Sequence, residues 1–154
     1  MKESGGRGGG EGGGGRERSD RGGATVLDLG CGSGLLAMLA ARAGASKVYA
    51  CDKAPGMAAC AERVVAANRL HHKITIIPKL STSMTVAREG DDMSQDDMSQ
   101  RADMSERATL LVSETFGDDP FSESFLPSLA HAREHLLSKT AAVIPYGLEV
   151  QSCI

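Results

Sequence analysis

Val26-Leu27-Asp28-Leu29-Gly30-Cys31-Gly32-Ser33-Gly34-Leu35-Leu36 is the stretch on which the fold turns. A short apolar run ends in three glycines at alternate positions and a second apolar run follows, the pattern of a strand, a tight turn and a helix. Glycine lets the backbone leave the strand sharply and lets a ligand approach the main chain, while the new helix presents N–H groups with no partner inside it. The junction therefore predicts a cofactor pocket. A dinucleotide fingerprint counted from Gly30 requires glycine at position 35, where Leu35 stands, and this disfavours a nicotinamide or flavin cofactor.

Downstream, Lys47-Val48-Tyr49-Ala50-Cys51-Asp52 reads as the next strand, with a carboxylate at its end 22 residues after Gly30. An acid at that strand end can accept hydrogen bonds from both hydroxyls of a ribose. Short apolar runs continue to alternate with amphipathic ones, as in βαβ units around a parallel sheet. Strands are predicted near 24–29, 46–51, 73–77, 108–113 and 141–145, and helices near 34–43, 56–68 and 125–138. Gly44 stands where a C-terminal cap would end the first helix. Met57, Cys60, Ala61, Val64 and Val65 form an apolar stripe on the second helix, and Leu126, Leu129, Ala130, Arg133, Leu136 and Leu137 nearly do so on the third; both stripes predict core.

The 154 residues, 41% hydrophobic and 24% charged, suit one α/β domain over residues 24–154 and leave no room for a second. Residues 1–23 hold eleven of the 19 glycines and no aliphatic residue beyond Met1, so a disordered Gly/Arg-rich tail is expected. Its Arg7-Gly8-Gly9 and Arg21-Gly22-Gly23 triplets are secondary to a plain linker. An acidic near-repeat, Asp91-Asp92-Met93-Ser94-Gln95 followed by Asp96-Asp97-Met98-Ser99-Gln100, with a degenerate third copy at 103–106, predicts a solvated low-complexity insertion at 88–107. The net charge of −3, without a long basic tract, gives no expectation of direct nucleic-acid binding. Cys31, Cys51, Cys60 and Cys153 lack disulfide-framework or zinc spacing, and no apolar run suggests a signal peptide or membrane helix. A reduced, intracellular protein, cytoplasmic or nuclear, is expected.

The D-x-G-x-G-x-G form at Asp28 to Gly34 resembles the first motif of class I S-adenosylmethionine-dependent methyltransferases. The resemblance implies a Rossmann-like α/β fold and S-adenosylmethionine as cofactor, with the glycine loop beside its methionine portion. It marks Asp28, Gly30, Gly32, Gly34 and Asp52 as cofactor residues. A narrower match follows at Leu111-Val112-Ser113-Glu114-Thr115-Phe116-Gly117 and on through Glu123-Ser124-Phe125-Leu126. Protein arginine methyltransferases are similar here: they carry a loop after the fourth strand with two glutamates nine positions apart, as Glu114 and Glu123 are. The similarity covers roughly residues 24–150, is closest to the type III branch, and makes Glu114 and Glu123 the catalytic candidates.

Paired carboxylates suit that chemistry. A substrate guanidinium and the cofactor sulfonium are both cationic, and bringing them together in a partly dehydrated pocket is costly unless anions compensate. Each glutamate can accept N–H donors from the planar guanidinium, each such bond contributing about 1.5–3 kcal/mol, and a lysine ammonium lacks the planar fork. Methyl transfer is an in-line displacement for which alignment and charge placement suffice, so no metal is expected. As a purely structural alternative, Glu114 ends a strand and Glu123 caps a helix.

His131-Ala132-Arg133-Glu134-His135 also fits the H-x-x-E-H pattern of a zinc peptidase class, but a catalytic zinc needs a third protein ligand, for which Glu149 is the sole acidic candidate downstream. A polar helix face accounts for the two histidines. Several features depart from the arginine methyltransferase pattern. Gly-rich sequence stands where the family has a cofactor-covering helix, and the chain stops at Ile154, about where the family's β-barrel, dimerisation arm and Thr-His-Trp loop follow. Ser83 stands where members often place a glutamate beside the adenine, and Gly117 replaces an aspartate of the type III branch. The expected domain thus lacks the C-terminal β-barrel. The resemblance implies arginine-containing protein substrates, Arg-Gly-rich ones among them, and relatives that are dimeric. The rival readings are a truncated, non-catalytic cofactor-binding or interaction module and a small-molecule methyltransferase.

Overall fold

The computed structural model describes residues 22–88, 102–116, 124–149 and 151. Thr25–Leu29 forms β1, and all five of its residues are buried. Its alternation decides what lies on each side of the sheet. Leu27 and Leu29 join Tyr49, Cys51, Leu111, Ala132 and Leu136 in one apolar cluster. Val26 points the other way, into a cluster with Ala37, Ala41, Val48, Ala61 and Val65. Strand residues two apart share a face, so Asp28 is directed into this second layer.

Five strands build the sheet: β1, β2 (Lys47–Cys51), β3 (Ile74–Ile77), β4 (Ala108–Ser113) and β5 (Leu137–Ile144). Their order is β3-β2-β1-β4-β5, and every neighbouring pair is parallel. The chain winds outward from β1 to one edge, returns, and continues to the other. In such a sheet ligands bind beyond the carboxyl ends of the strands where the order reverses, here between β1 and β4. The expected Rossmann-like α/β fold is the fold observed.

Helix α1 (Leu35–Arg42) begins after Gly34 and ends at Gly44, whose φ of 107° is the left-handed value that a C-terminal cap demands. Helix α2 (Pro55–Ala67) starts with Pro55 in its first turn, where the missing N–H costs nothing. Its buried residues are Ala58, Ala61 and Val65, whereas Met57 of the predicted stripe is 42% exposed. Met57 reaches out toward the glycine loop instead, its methyl 3.9 Å from where a Cβ on Gly32 would stand.

Helix α3 (Phe125–His131) passes into a π turn over Ala132–Leu136, and β5 begins at once at Leu137. The predicted helix therefore stops two residues early and the predicted strand begins four residues early. Arg107 explains the switch, because its guanidinium donates to the carbonyls of both Glu134 and Leu137 at 3.0 Å and satisfies a helix end that would otherwise carry unpaired acceptors. β5 then bulges, since Ala108 pairs with Leu137 but Leu110 pairs with Ala142. The buried face of α3 and its π turn is Phe125, Ser128, Ala132 and Leu136, rotated from the predicted stripe. Leu126 is 51% exposed, and with Leu129 and Arg133 it lines a surface groove.

The tail through residue 21 and most of the insertion, residues 89–101, lie outside the described residues. Residues 102–107 are described; Ser105, Glu106 and Arg107 are exposed, but Met104 departs from a solvated loop. Met104 is fully buried and exchanges backbone hydrogen bonds with Thr85 and Ala87 at 3.0 and 2.8 Å. Tyr49 ties Ser105 down: its hydroxyl accepts the Ser105 N–H at 2.9 Å and lies 2.7 Å from Ser105 Oγ. Asp103 pairs with Lys79 at 2.7 Å. The degenerate copy at 103–106 is where the acidic repeat returns to the core.

Candidate cofactor and acceptor site

Gly30, Gly32 and Gly34 have φ of 75°, 52° and 84°, so all three alternate glycines occupy the left-handed region that side chains disfavour. Gly30 is further constrained because a Cβ there would collide with the Thr115 methyl on the loop after β4. The N–H groups of Gly30 and Cys31 both donate to the Cys51 carbonyl, at 3.0 and 2.9 Å, which ties the loop to the end of β2.

Asp52 completes that tie. Its Oδ2 accepts the Gly32 N–H at 3.0 Å and its Oδ1 accepts the Ala54 N–H at 2.8 Å, so one carboxylate holds the loop and the entry to α2. Each oxygen has a second lone pair, and the side chain is half-buried, so Asp52 remains able to accept bonds from a ligand. Asp28 differs. It is fully buried, its Oδ2 accepts the Ala37 N–H in the first turn of α1 at 2.8 Å, and it contributes nothing to the cavity wall. Burial pushes its carboxyl up from 3.8 to about 7, and Asp52 adds to the rise, while the Ala37 bond opposes it.

A cavity of about 540 Å3 opens beyond the carboxyl ends of β1, β2 and β4. Gly30, Asp52 and Glu114 all line it, so the cofactor loop, the strand-end acid and one predicted catalytic glutamate meet in one place. Glu114 is exposed at the end of β4. Glu123 lies outside the described residues, but its neighbour Ser124 lines the same cavity with Pro127 and Ser128. The Phe116 and Phe125 rings meet edge to face, 4.5 Å between centroids, and so draw together the two ends of the segment that carries Glu123. Ser113 supports this corner, its hydroxyl donating to the Leu29 carbonyl at 2.8 Å and standing 3.1 Å from Thr115 Oγ1.

Ser83 is placed apart. It is exposed, in a 3-10 turn over Ser81–Ser83, and faces a neighbouring cavity with His131 and His135, whereas Ser81 and Thr82 line the cavity of Asp52. Thr82 borders both. Lys53, Lys79 and Thr115 also line the site and were not predicted. Lys53 and Thr115 had a signal in the sequence, as the residues directly after the acids Asp52 and Glu114 at two strand ends, whereas Lys79 arrives through the sheet order alone. His131 and His135 lie 4.6 Å apart between ring centroids, and among the described residues no group of three or more potential metal ligands surrounds them. No helix among the described residues is long and apolar enough to cross a membrane.

Comparison with known proteins agrees with this geometry. Residues 16–94 match the family described as "Ribosomal protein L11 methyltransferase (PrmA)". The chain is 41% identical over 127 residues to protein arginine N-methyltransferase 7 of Anopheles gambiae, covering 82% of this chain and 17% of that protein. It is likewise 41% identical over 129 residues to arginine N(omega)-methyltransferase of Streptomyces achromogenes, covering 84% of this chain and 32% of that one. Among solved structures, the Trypanosoma brucei PRMT1 enzyme-prozyme heterotetrameric complex with AdoHcy superposes with a TM-score of 0.65 at 30% identity, over 79% of this chain and 32% of that one. The chain thus spans between about a sixth and a third of the length of these relatives. The chain belongs to the class I S-adenosylmethionine-dependent methyltransferases, and among them it is similar to the protein arginine methyltransferases.

Proposed function

We propose that this chain transfers a methyl group from S-adenosylmethionine to a guanidinium nitrogen of arginine in protein substrates. The observation that carries the proposal is the shared cavity of Gly30, Asp52 and Glu114. The residues fit the cofactor. The glycine backbone leaves room for a ligand against the loop, and Asp52 offers acceptors at the strand end for ribose hydroxyls. When bound, the cofactor supplies an electrophilic methyl on a sulfonium.

The chain's own contribution is charge and alignment. Glu114 places an anion in the cavity, where a guanidinium can donate two N–H bonds to one carboxylate. Glu123, outside the described residues, is the second candidate anion by the resemblance, and its described neighbour Ser124 lines the same cavity. Together the two carboxylates would offset the repulsion between guanidinium and sulfonium and turn one nitrogen toward the methyl. Arg-Gly-rich proteins are the substrates this assignment favours, and an assembled, longer protein is its natural setting. A cytoplasmic or nuclear location belongs to the same proposal, supported by the free thiols of Cys31, Cys51 and Cys60.

A second reading is favoured by one finding: the Streptomyces relative is named for arginine itself, and free arginine carries the same guanidinium. Labelled S-adenosylmethionine incubated with the chain and an arginine peptide, its lysine counterpart, or free arginine separates the readings. Transfer to the arginine peptide alone supports the proposal, and transfer to free arginine alone replaces it with the small-molecule reading. Cofactor binding without transfer to any acceptor identifies a non-catalytic module. Glu114→Gln should keep cofactor affinity within about threefold and lower transfer by two or more orders of magnitude, given the strength of charge-assisted bonds to a guanidinium.

A further inference from the structure

Asp28 is a buried carboxyl with an incomplete set of partners. Its Oδ2 accepts the Ala37 N–H at 2.8 Å, but Oδ1 has no hydrogen-bond partner among the described residues, and the side chain is 0% exposed. An ionised carboxylate so placed would leave one oxygen of a full charge dehydrated and unpaired, which is far more costly than leaving a neutral hydroxyl unpaired. The arrangement favours a proton on Oδ1, with Oδ2 acting as the carbonyl oxygen that receives Ala37.

The surroundings supply no cation to reverse this. In the glycine loop and in β2, Cys31 and Cys51 are neutral thiols, pushed up to about 12 and about 11 by burial. Asp52 at the end of β2 is an anion and favours the protonated state of Asp28. The only charged side chain of α1, Arg42, lies in the last turn and is bound to Asn68 at 2.8 Å. On α2, Glu62 and Arg63 are exposed, and from β4 the residue paired with Asp28 is Val112, with Glu114 exposed beyond the strand end. The cavity is the side from which a ligand's positive charge would arrive; its wall includes the adjacent residue Leu29 and then Gly30, with Lys53 and Lys79 farther along it and Lys79 paired with Asp103.

We propose that Asp28 is a positioning residue whose proton leaves when the cationic methionine portion of S-adenosylmethionine settles on the glycine loop, so that cofactor binding and Asp28 ionisation are one linked event. This rests on the cofactor assignment above. The balance is simple: the O–H bond of the Asp28 carboxyl breaks, the proton passes to solvent buffer, and the remaining carboxylate, behind the cavity wall and two residues from Gly30, attracts the ligand's positive charge through a low-dielectric interior. The ionised Oδ2 then holds the first turn of α1 more tightly through Ala37, which firms the loop around the ligand. A neutral ligand of the same nucleoside shape gives Asp28 no reason to ionise.

Calorimetric titration of the full chain at pH 6 and pH 8, each in two buffers of different ionisation enthalpy, tests this with S-adenosylmethionine and with 5′-methylthioadenosine, which keeps the nucleoside and carries no charge. S-adenosylmethionine should release close to one proton at pH 6 and bind about tenfold tighter at pH 8, while methylthioadenosine should show neither effect. Asp28→Asn should abolish both the release and the pH dependence. In the unsubstituted chain, infrared difference spectra at pH 6 should show a protonated carboxyl band lost on adding S-adenosylmethionine, a readout that survives if the variant misfolds. Binding of both ligands without proton release, equal release by both, or a pH dependence retained in Asp28→Asn overturns the assignment and leaves the cofactor site standing. No binding of either ligand by the folded chain overturns the cofactor site as well.

Discussion

Gly32 donates its N–H to Asp52 Oδ2 at 3.0 Å, across 20 residues of chain, so the residue expected to hold the ribose also holds the loop that receives the rest of the cofactor. Loop and acid are therefore one structural unit. Asp52→Ala removes a charge-assisted bond worth about 1.5–3 kcal/mol and frees the loop as well, so S-adenosylmethionine affinity should fall by about ten- to more than a hundredfold. Calorimetric titration checks this, and an unchanged affinity would show that Asp52 serves the fold alone. If Asp52→Ala and Glu114→Gln each lost binding and transfer to the same degree, the division of roles between them would be wrong.

Gly30 meets two obstacles to any side chain, a φ of 75° and the Thr115 methyl. Gly30→Ala should destabilise the chain by about 2 kcal/mol or more, from left-handed strain together with overpacking. Adding Thr115→Ser removes the methyl but not the strain, so the double variant should recover part of the loss and never all of it. Urea denaturation of the two single variants and the double variant measures the coupling, and strict additivity would mean that the two residues do not meet.

Asp28 sets a pH dependence of stability whose sign follows from its burial. Its folded value is raised to about 7 from 3.8, so the folded state holds the proton more tightly than the unfolded chain. The corresponding stability is fully present below about pH 4 and is lost as pH rises through about 7, an amount on the order of 4 kcal/mol. Denaturation midpoints should fall between pH 5 and pH 8 in the unsubstituted chain and show much less of this fall in Asp28→Asn. A midpoint that rises over this range would place the proton elsewhere.

Met104 and Tyr49 join the end of the acidic repeat to the sheet. Met104 is 0% exposed in the same cluster as Leu27 and Leu111, so Met104→Ala should cost about 2–5 kcal/mol, the loss expected for a core methionine. Tyr49→Phe keeps the ring but removes the acceptor for the Ser105 N–H, and should cost about 1–2 kcal/mol. Hydrogen exchange at residues 102–107 should accelerate in both variants. Unchanged exchange would mean that this strap is held by the Asp103–Lys79 pair instead.

Local patterns carried most of the fold. Strand, glycine turn and helix from Val26 to Leu36 could be read directly, because side-chain alternation and left-handed glycines are properties of neighbouring residues. The limits of β4 agreed with the sequence for the same reason, as did the cap at Gly44. The acid at Asp52 and the glutamate at Glu114 were legible as strand ends, and parallel pairing alone then brings them to one edge.

Tertiary contacts decided the remainder. Asp28 carries the same motif as the glycines, yet whether a strand acid faces ligand or interior depends on which layer covers it, and α1 seals it in. Ser81 and Ser83 are two residues apart but border different cavities, with Thr82 between them on both, a matter of how the 3-10 turn meets α3. Met104 sits in a run whose composition is that of a solvated loop, and it becomes core only because Tyr49, Thr85 and Ala87 capture its neighbourhood. β5 begins at Leu137 because Arg107, 30 residues earlier, binds the carbonyls that end the helix. Periodicity and turn chemistry are written in adjacent residues and so belong to the sequence by itself; burial, and with it the protonation of Asp28, arises only when distant segments exclude water together.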